Sequence, residues 1–254
     1  MTATSSAVSF SPVTNNVSDQ EQRLRDLVTR YGELEGQALL EVMLKDEFCD
    51  KIAVSSSFGA EAAVLLKLVA EVDGATPVLF IDTGHLFDET LQYKETIGQH
   101  LGLTNIQVIG PEQIHLDNAD KDATLYERDP DYCCHIRKVL PFEKALAPYD
   151  AWVSGRKRFQ NSERSQLQGI ELDHDGRFKI NPLFNWDYDK VIAQFKKMDL
   201  PKHPLVDKGY PSIGCAPCTR AVKDGEDQRA GRWAGQGKTE CGIHKSPSFE
   251  AIYI

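Results

Sequence analysis

The sequence predicts an α/β domain built on a parallel sheet with helices on both faces, followed by an irregular C-terminal tail. Short apolar runs alternate with helical patterns between residues 52 and 155, the arrangement of βαβ units. Those runs are apolar on consecutive residues, as strands buried on both faces are. From about Asp199 the pattern changes: Pro201, Pro204, Pro211, Pro217, Pro247 and many glycines leave little periodicity.

The elements follow in order. Residues 19 to 48 read as helical, with Leu24, Leu27, Val28, Leu34, Leu39, Leu40, Met43 and Leu44 near helical spacing. Ile52-Ala53-Val54 is the first strand, leading into Ser55-Ser56-Ser57-Phe58-Gly59 and then a helix carrying Ala62, Ala63, Leu65, Leu66, Leu68 and Val69. Pro77 to Ile81 forms the second strand, ending at Asp82-Thr83-Gly84, with a helix from about Asp88 to Leu101. Ile106 to Ile109 is the third strand. A helix around Ile136 to Ala147 precedes the fourth, Ala151 to Gly155. Ligands of such sheets sit outside the carboxyl ends of the strands. Here those ends carry Ser55 to Gly59, Asp82 to His85 and Gly155 to Arg158, which are small, hydroxylic or cationic.

At 254 residues, with 41% hydrophobic and 26% charged residues, the chain suits one large domain with appendages. No run approaches the ~20 apolar residues that span a bilayer. Met1 to Ser18 lacks the charged and apolar regions of a secretory signal and reads as a flexible leader. A cytoplasmic location is expected, with no membrane partner. The formal charge of −9 argues against nucleic acid as a partner. It would also repel an anionic ligand, so any anion site requires locally clustered cations.

Six cysteines are present. A disulfide framework is not expected in a chain of this size without an export signal. Cys215-Ala216-Pro217-Cys218 is a C-x-x-C in the irregular tail, and Cys133-Cys134 is a consecutive pair. Four sulfurs suit a [4Fe–4S] cluster or a structural zinc, and unliganded thiols are the third reading. The consecutive pair departs from usual zinc spacing and demands unusual local geometry. Cys49, beside Phe48, reads as a buried structural thiol. Cys241 lies in Glu240-Cys241-Gly242-Ile243-His244, where His244 could activate the thiol or position an anion. Alone, that signal is weak.

Together these residues resemble the assimilatory adenylyl-sulfate (APS) reductases, the iron–sulfur branch of the phosphoadenylyl-sulfate (PAPS) and APS reductase family. The matching blocks are Ser55 to Glu61, Ile81-Asp82-Thr83-Gly84-His85, Cys133-Cys134-His135-Ile136-Arg137-Lys138, Gly155 to Gln160, Gly214 to Arg220, and Glu240 to His244. The resemblance implies an adenine-nucleotide α-hydrolase-like, Rossmann-like fold. It divides the chain into a leader over 1–18, a nucleotide-binding domain over 19–200, and a cluster-binding and catalytic segment over 201–254. It implies Cys133, Cys134, Cys215 and Cys218 as ligands of a [4Fe–4S] cluster, and Cys241 as the nucleophile that takes sulfite from APS as an S-sulfonate. Ser56 and Ser57 would hold the sulfate–phosphate end, and backbone at Ile81 and Gly155 would flank adenine. Lys138, Arg158, Arg229, Arg232 and His244 would neutralise developing charge.

The chain stops at Ile254 without a fused thioredoxin-like domain, so a separate thioredoxin or glutaredoxin is the implied reductant; a homo-oligomer is compatible with this reading. Two residues depart from the family pattern. Lys157 replaces the first arginine of Gly-x-Arg-Arg-x-Gln and lacks its bidentate fork. Ile243 replaces a leucine at similar volume. The alternatives are a PAPS or dual-specificity reductase, an ATP pyrophosphatase, which would want Ser-Gly-Gly-x-Asp-Ser in the first loop, and a non-enzymatic iron–sulfur or zinc sensor.

Overall fold

A computed structural model of the chain describes residues 14–244, with side chains from residue 19. The first thirteen residues of the expected leader and the last ten of the tail lie outside the described residues. Thr14 to Ser18 instead open the first helix.

Six strands form one sheet in the order β3-β2-β1-β4-β6-β5. They are β1 (Ile52–Ser55), β2 (Val78–Ile81), β3 (Ile106–Ile109), β4 (Ala151–Val153), β5 (Ile170–Leu172) and β6 (Phe178–Ile180). All pairings are parallel except β5 with β6. The α/β class therefore holds, and the sheet is mixed at one edge. The four expected strands appear within two residues of their expected bounds. The β5–β6 hairpin was not anticipated, because its three-residue strands alternate with charged residues and offer no apolar run.

The helices are α1 (Thr14–Tyr31), α2 (Gly36–Val42), α3 (Ala62–Asp73), α4 (Asp88–Leu101), α5 (Gln113–Ala119), α6 (Leu125–Arg128), α7 (Pro130–Cys134), α8 (Leu140–Leu146) and α9 (Tyr188–Lys197). The main core packs α2, α3 and their neighbours on one face of the sheet, around Leu39, Val54, Leu66, Phe80 and Val153. The other face packs Ala53, Leu79 and Trp152 under Phe142 and Leu146 of α8. Helix α3 follows β1 through a loop pinned by Phe58, which is fully buried at φ +47° with its ring edge-on to Phe80 at 5.3 Å. A bulky residue in that region is strained, and core burial holds it there.

Cys49 corrects an expectation: its side chain is exposed. A π-helical turn over Met43–Glu47 ends at Phe48, which takes the buried place, and a tight turn closes with Lys51 N–H donating to Phe48 C=O at 2.8 Å. Cys49 is thereby turned outward.

The chain passes from β3 across the sheet to β4, so β1 and β4 flank the topological switch point, where open α/β sheets bind ligands. Two buried polar contacts fasten the surrounding loops. Arg137 donates to Asp120 from Nε and Nη2 at 2.8 and 2.6 Å, and from Nη1 to Thr83 C=O at 2.7 Å. His203 accepts Leu205 N–H at Nδ1 and contacts Thr90 Oγ1 through Nε2, each at 3.1 Å. An accepting Nδ1 fixes the neutral tautomer with the proton on Nε2.

Asp120→Asn leaves the Arg137 guanidinium buried without its counter-charge, so a loss of about 3–5 kcal/mol is expected in urea denaturation. Asp122→Asn, at an exposed pair with Arg128, is expected to leave the midpoint unchanged. Burial lowers the His203 pKa from 6.5 to about 4. The unfolded chain then takes the proton first, so stability is full above pH 6.5 and falls as pH drops from 6.5 towards 4. Denaturation midpoints across that window should fall more steeply for the native chain than for His203→Gln; equal slopes would contradict this.

Candidate active site

A cavity of about 480 Å³ lies at the carboxyl ends of β1 and β4, within the range of small-molecule sites. Its floor is Ser55, Ser56, Ser57 and Gly59, leading into the first turn of α3. Ser56 Oγ accepts Phe58 N–H at 3.2 Å, which shapes the loop. No side chain caps α3. Ala62 and Val64 N–H close turns onto Gly59 and Glu61 C=O at 3.1 and 3.4 Å, so the donors this loop offers an anion are its serine hydroxyls.

The opposite wall follows β4: Ser154, Gly155, Arg156 and Lys157. Lys157 is buried and donates to Glu61 Oε2 at 2.8 Å and Gly155 C=O at 3.1 Å. It ties the loops after β1 and β4 together. Arg156 pairs with Glu171 at 2.9 Å.

The C-terminal segment supplies the roof. Arg229, Arg232, Cys241 and His244 all line the cavity, as does Lys138 from the π-helical turn His135–Val139. Burial, then repulsion from Arg164 and Arg232, lowers the Arg229 pKa to about 10. Burial also lowers that of Arg232. Both remain charged at neutral pH, and crowding of this kind is relieved by a bound anion. The close approach of Arg232 requires Gly214, because a Cβ there would collide with the guanidinium.

Three expectations are corrected here. Arg158 does not line the cavity: it donates to Leu167 C=O at 2.8 Å and Asn185 Oδ1 at 3.1 Å, with its guanidinium over Phe184. The short 3-10 turn Arg158–Gln160 rotates it outward. Ile81 ends β2 outside the lining and packs with the core under α8. His244 is not a cation. Its ring lies flat on Trp152 at 5.7 Å, and burial with Lys179, Arg156, Arg164 and Arg229 nearby holds its pKa well below 6.5. It can only donate or accept hydrogen bonds as neutral imidazole.

The cation that the motifs missed is Arg164, in the 3-10 turn Ser162–Arg164. It lines the cavity and forms a bidentate pair with Glu240, Nε–Oε2 2.6 Å and Nη2–Oε1 2.7 Å. Glu240 also accepts the Cys241 N–H at 2.8 Å, so the residue before the thiol is fixed to the wall. Nothing in local spacing marks Arg164, since its partner lies 76 positions away.

A second, smaller cavity adjoins the first and is lined by Cys133, Cys134, Cys215 and Cys218. Helix α7 carries the consecutive pair directly into the π turn, whose wider spacing lets both thiols face one cavity. The C-x-x-C turn docks on the loop after β2: Ala216 N–H donates to His85 C=O at 2.7 Å, and Thr83 Oγ1 lies 3.3 Å from Cys215 Sγ. Burial raises Cys133 to about 12 and Cys218 to about 11. Burial opposes the Cys215 thiolate too, but Lys138, Thr83 and Arg232 outweigh it and lower its pKa. Lys138 and Arg232 line both cavities. Four thiols with adjacent cations form a donor set that fits a thiolate-bound metal centre. His85, Asp120 and Cys133 also bring donor atoms within 4.8 Å of one another, but Asp120 is already committed to Arg137.

Among the described residues, no helix is long and apolar enough to cross a membrane. The family model for the phosphoadenosine phosphosulfate reductase domain matches residues 51–221. A protein of Chelativorans sp. (strain BNC1) named adenosine 5'-phosphosulfate reductase is 47% identical over 236 residues, 92% of this chain and 95% of that one. One of Gloeobacter violaceus, named phosphoadenosine 5'-phosphosulfate reductase, is 40% identical over 225 residues, 87% and 93% of the two chains. The crystal structure of phosphoadenylyl-sulfate reductase from Candida auris in a phosphate complex superposes with a TM-score of 0.67 at 25% identity, covering 85% of this chain and 100% of that one. Candida glabrata FMN adenylyltransferase, with a TM-score of 0.52 at 16% identity over 80% and 75% of the chains, shares the fold. Sheet order, switch-point cavity and sequence relatives agree: the chain belongs to the phosphoadenosine phosphosulfate reductase domain family.

Proposed function

We propose that the chain reduces adenosine 5'-phosphosulfate to sulfite and AMP, with Cys241 as nucleophile, in assimilatory sulfate reduction. The observation that carries this reading is the placement of a free thiol, Cys241, in a cationic cavity that shares Lys138 and Arg232 with a four-cysteine pocket.

In this reading Ser56 and Ser57 hold the phosphosulfate, and backbone at Gly155 lies beside adenine. Cys241 Sγ attacks the sulfur of APS, the S–O bond to phosphate breaks, and AMP leaves with that electron pair. The leaving phosphate is a weak base and needs no strong general acid. It needs charge neutralisation, which Lys138, Arg229 and Arg232 supply. A thiolate of a dithiol protein, thioredoxin or glutaredoxin, then attacks Cys241 Sγ and sulfite leaves with the S–S bonding pair. The reductant's second thiolate attacks its first sulfur, the mixed disulfide breaks with Cys241 leaving as thiolate, and the reductant's disulfide closes, so the dithiol provides both electrons.

Cys133, Cys134, Cys215 and Cys218 would hold a [4Fe–4S] cluster. When bound, it would supply a fixed charge beside Lys138 and tie the tail to the α/β body. APS is favoured over PAPS because two relatives 47% identical to the chain are named adenosine 5'-phosphosulfate reductase, while the one named for PAPS is 40% identical.

Protein purified without oxygen should be brown and, incubated with APS, gain the mass of one SO3 group on Cys241; Cys241→Ser should gain none. A colourless zinc protein would overturn the cluster, and equal efficiency with PAPS would overturn the preference for APS. Arg229→Gln is expected to raise KM for APS by about tenfold, as loss of a charged contact does. Arg158→Gln should leave KM unchanged, and equal effects would return Arg158 to the site.

A further inference from the structure

Lys238 is a buried lysine that the chemistry above leaves without a role. Its residue is 7% exposed, three positions before Cys241. The ammonium donates to Asp131 Oδ1 at 2.5 Å and lies 3.4 Å from Pro130 C=O. Both partners belong to the opening turn of α7, and Cys133 and Cys134 close that helix. Lys238 also lies over the Trp233 ring, 5.6 Å from its centroid, on which Arg232 stacks at 4.3 Å. Beyond Cys241 the segment touches the same region again. A Cβ on Gly242 would meet Val139 Cγ2 at 2.9 Å and Cys134 Cβ at 4.0 Å, so only glycine allows this approach.

The Cys241 segment is thus clamped on both sides of the thiol. Glu240 fixes it to Arg164 on the cavity wall. Lys238 and Gly242 fix it, on either side of the nucleophile, to the helix and π turn that bear two of the four cysteines. In the Lys238–Asp131 pair the ammonium is buried and the carboxylate 38% exposed, so removing the carboxylate leaves a desolvated charge without its partner. Its geometry therefore follows the position of α7.

We propose that Lys238 is a positioning residue: paired with Asp131, it seats the Cys241 segment on the cysteine-bearing helix, so that the nucleophile is in place only while the four-cysteine centre is intact. This rests on the reading of Cys241 as nucleophile and of the four cysteines as cluster ligands. It adds a dependence between them that runs through Lys238 and not through the substrate cations.

The test measures the rate at which iodoacetamide alkylates Cys241, resolved by peptide mass spectrometry, in full-length cluster-loaded protein without oxygen, alongside iron content and visible absorbance. Lys238→Met and Asp131→Asn are each expected to raise that rate by about tenfold, the factor that loss of ~1.4 kcal/mol of seating gives. Lys238→Arg should restore part of the protection. The loss of turnover should fall on kcat, with KM for APS unchanged. Stripping iron from the native protein with a chelator should raise its alkylation to the level of the variants, and add little in Lys238→Met. Alkylation at the native rate in both variants, with or without retention of iron, overturns the proposal. So does a stripped native protein that alkylates no faster. A native protein without iron, or one that takes no sulfonate on Cys241, instead overturns the functional reading beneath it.

Discussion

Arg137 spends all three of its nitrogens inside the protein, two on Asp120 and one on Thr83 C=O. Through it the loop after β2, the chain after α5 and the π turn after Cys134 become one unit. The C-x-x-C turn then has a fixed surface to dock on, since Thr83 also contacts Cys215 and the adjoining His85 carbonyl accepts Ala216 N–H. Without that ion pair the consecutive cysteines would stand on a five-residue helix too short to hold itself. Both the four-thiol pocket and the reach of Lys138 towards the larger cavity depend on it.

The same economy of position resolves the electrostatic conflict of an acidic chain with an anion site. The net charge of −9 is distributed over the surface, while six cations line one cavity. Three of them are spoken for: Lys157 by Glu61, Arg156 by Glu171 and Arg164 by Glu240. These pairs hold loops in place. Lys138, Arg229 and Arg232 have no carboxylate partner among the described residues, and burial of the two arginines, with Arg229 also repelled by Arg164 and Arg232, favours taking up a negatively charged ligand. Neutral His244, stacked on Trp152, lies beside this field without adding to it.

Much of this was legible in the chain itself. The apolar runs located β1 to β4, because strands buried on both faces leave a pattern that needs no partner to read. Helix α4 matched its expected span, Asp88 to Leu101. The cysteines could be divided into two pairs and two singles, and the motif blocks pointed to the loops that meet at the cavity. The hairpin of β5 and β6 was invisible, as its strands are stable only when paired. Cys49 was misplaced because the outward turn after Phe48 depends on a π-helical end that hydrophobic spacing does not encode.

What the sequence alone determined is the α/β order, the family and the inventory of thiols and cations, since each is carried by residue type and short-range spacing. Only the tertiary structure decided which charges face the cavity. Arg158 and Arg164 are alike in type and six positions apart, yet one packs on Phe184 and the other reaches Glu240. The seat of Cys241, through Lys238 on Asp131 and Glu240 on Arg164, is likewise a matter of long-range contact. Ion pairs with a buried member join residues that are distant in sequence, and their value lies in desolvation and geometry that only the folded chain creates.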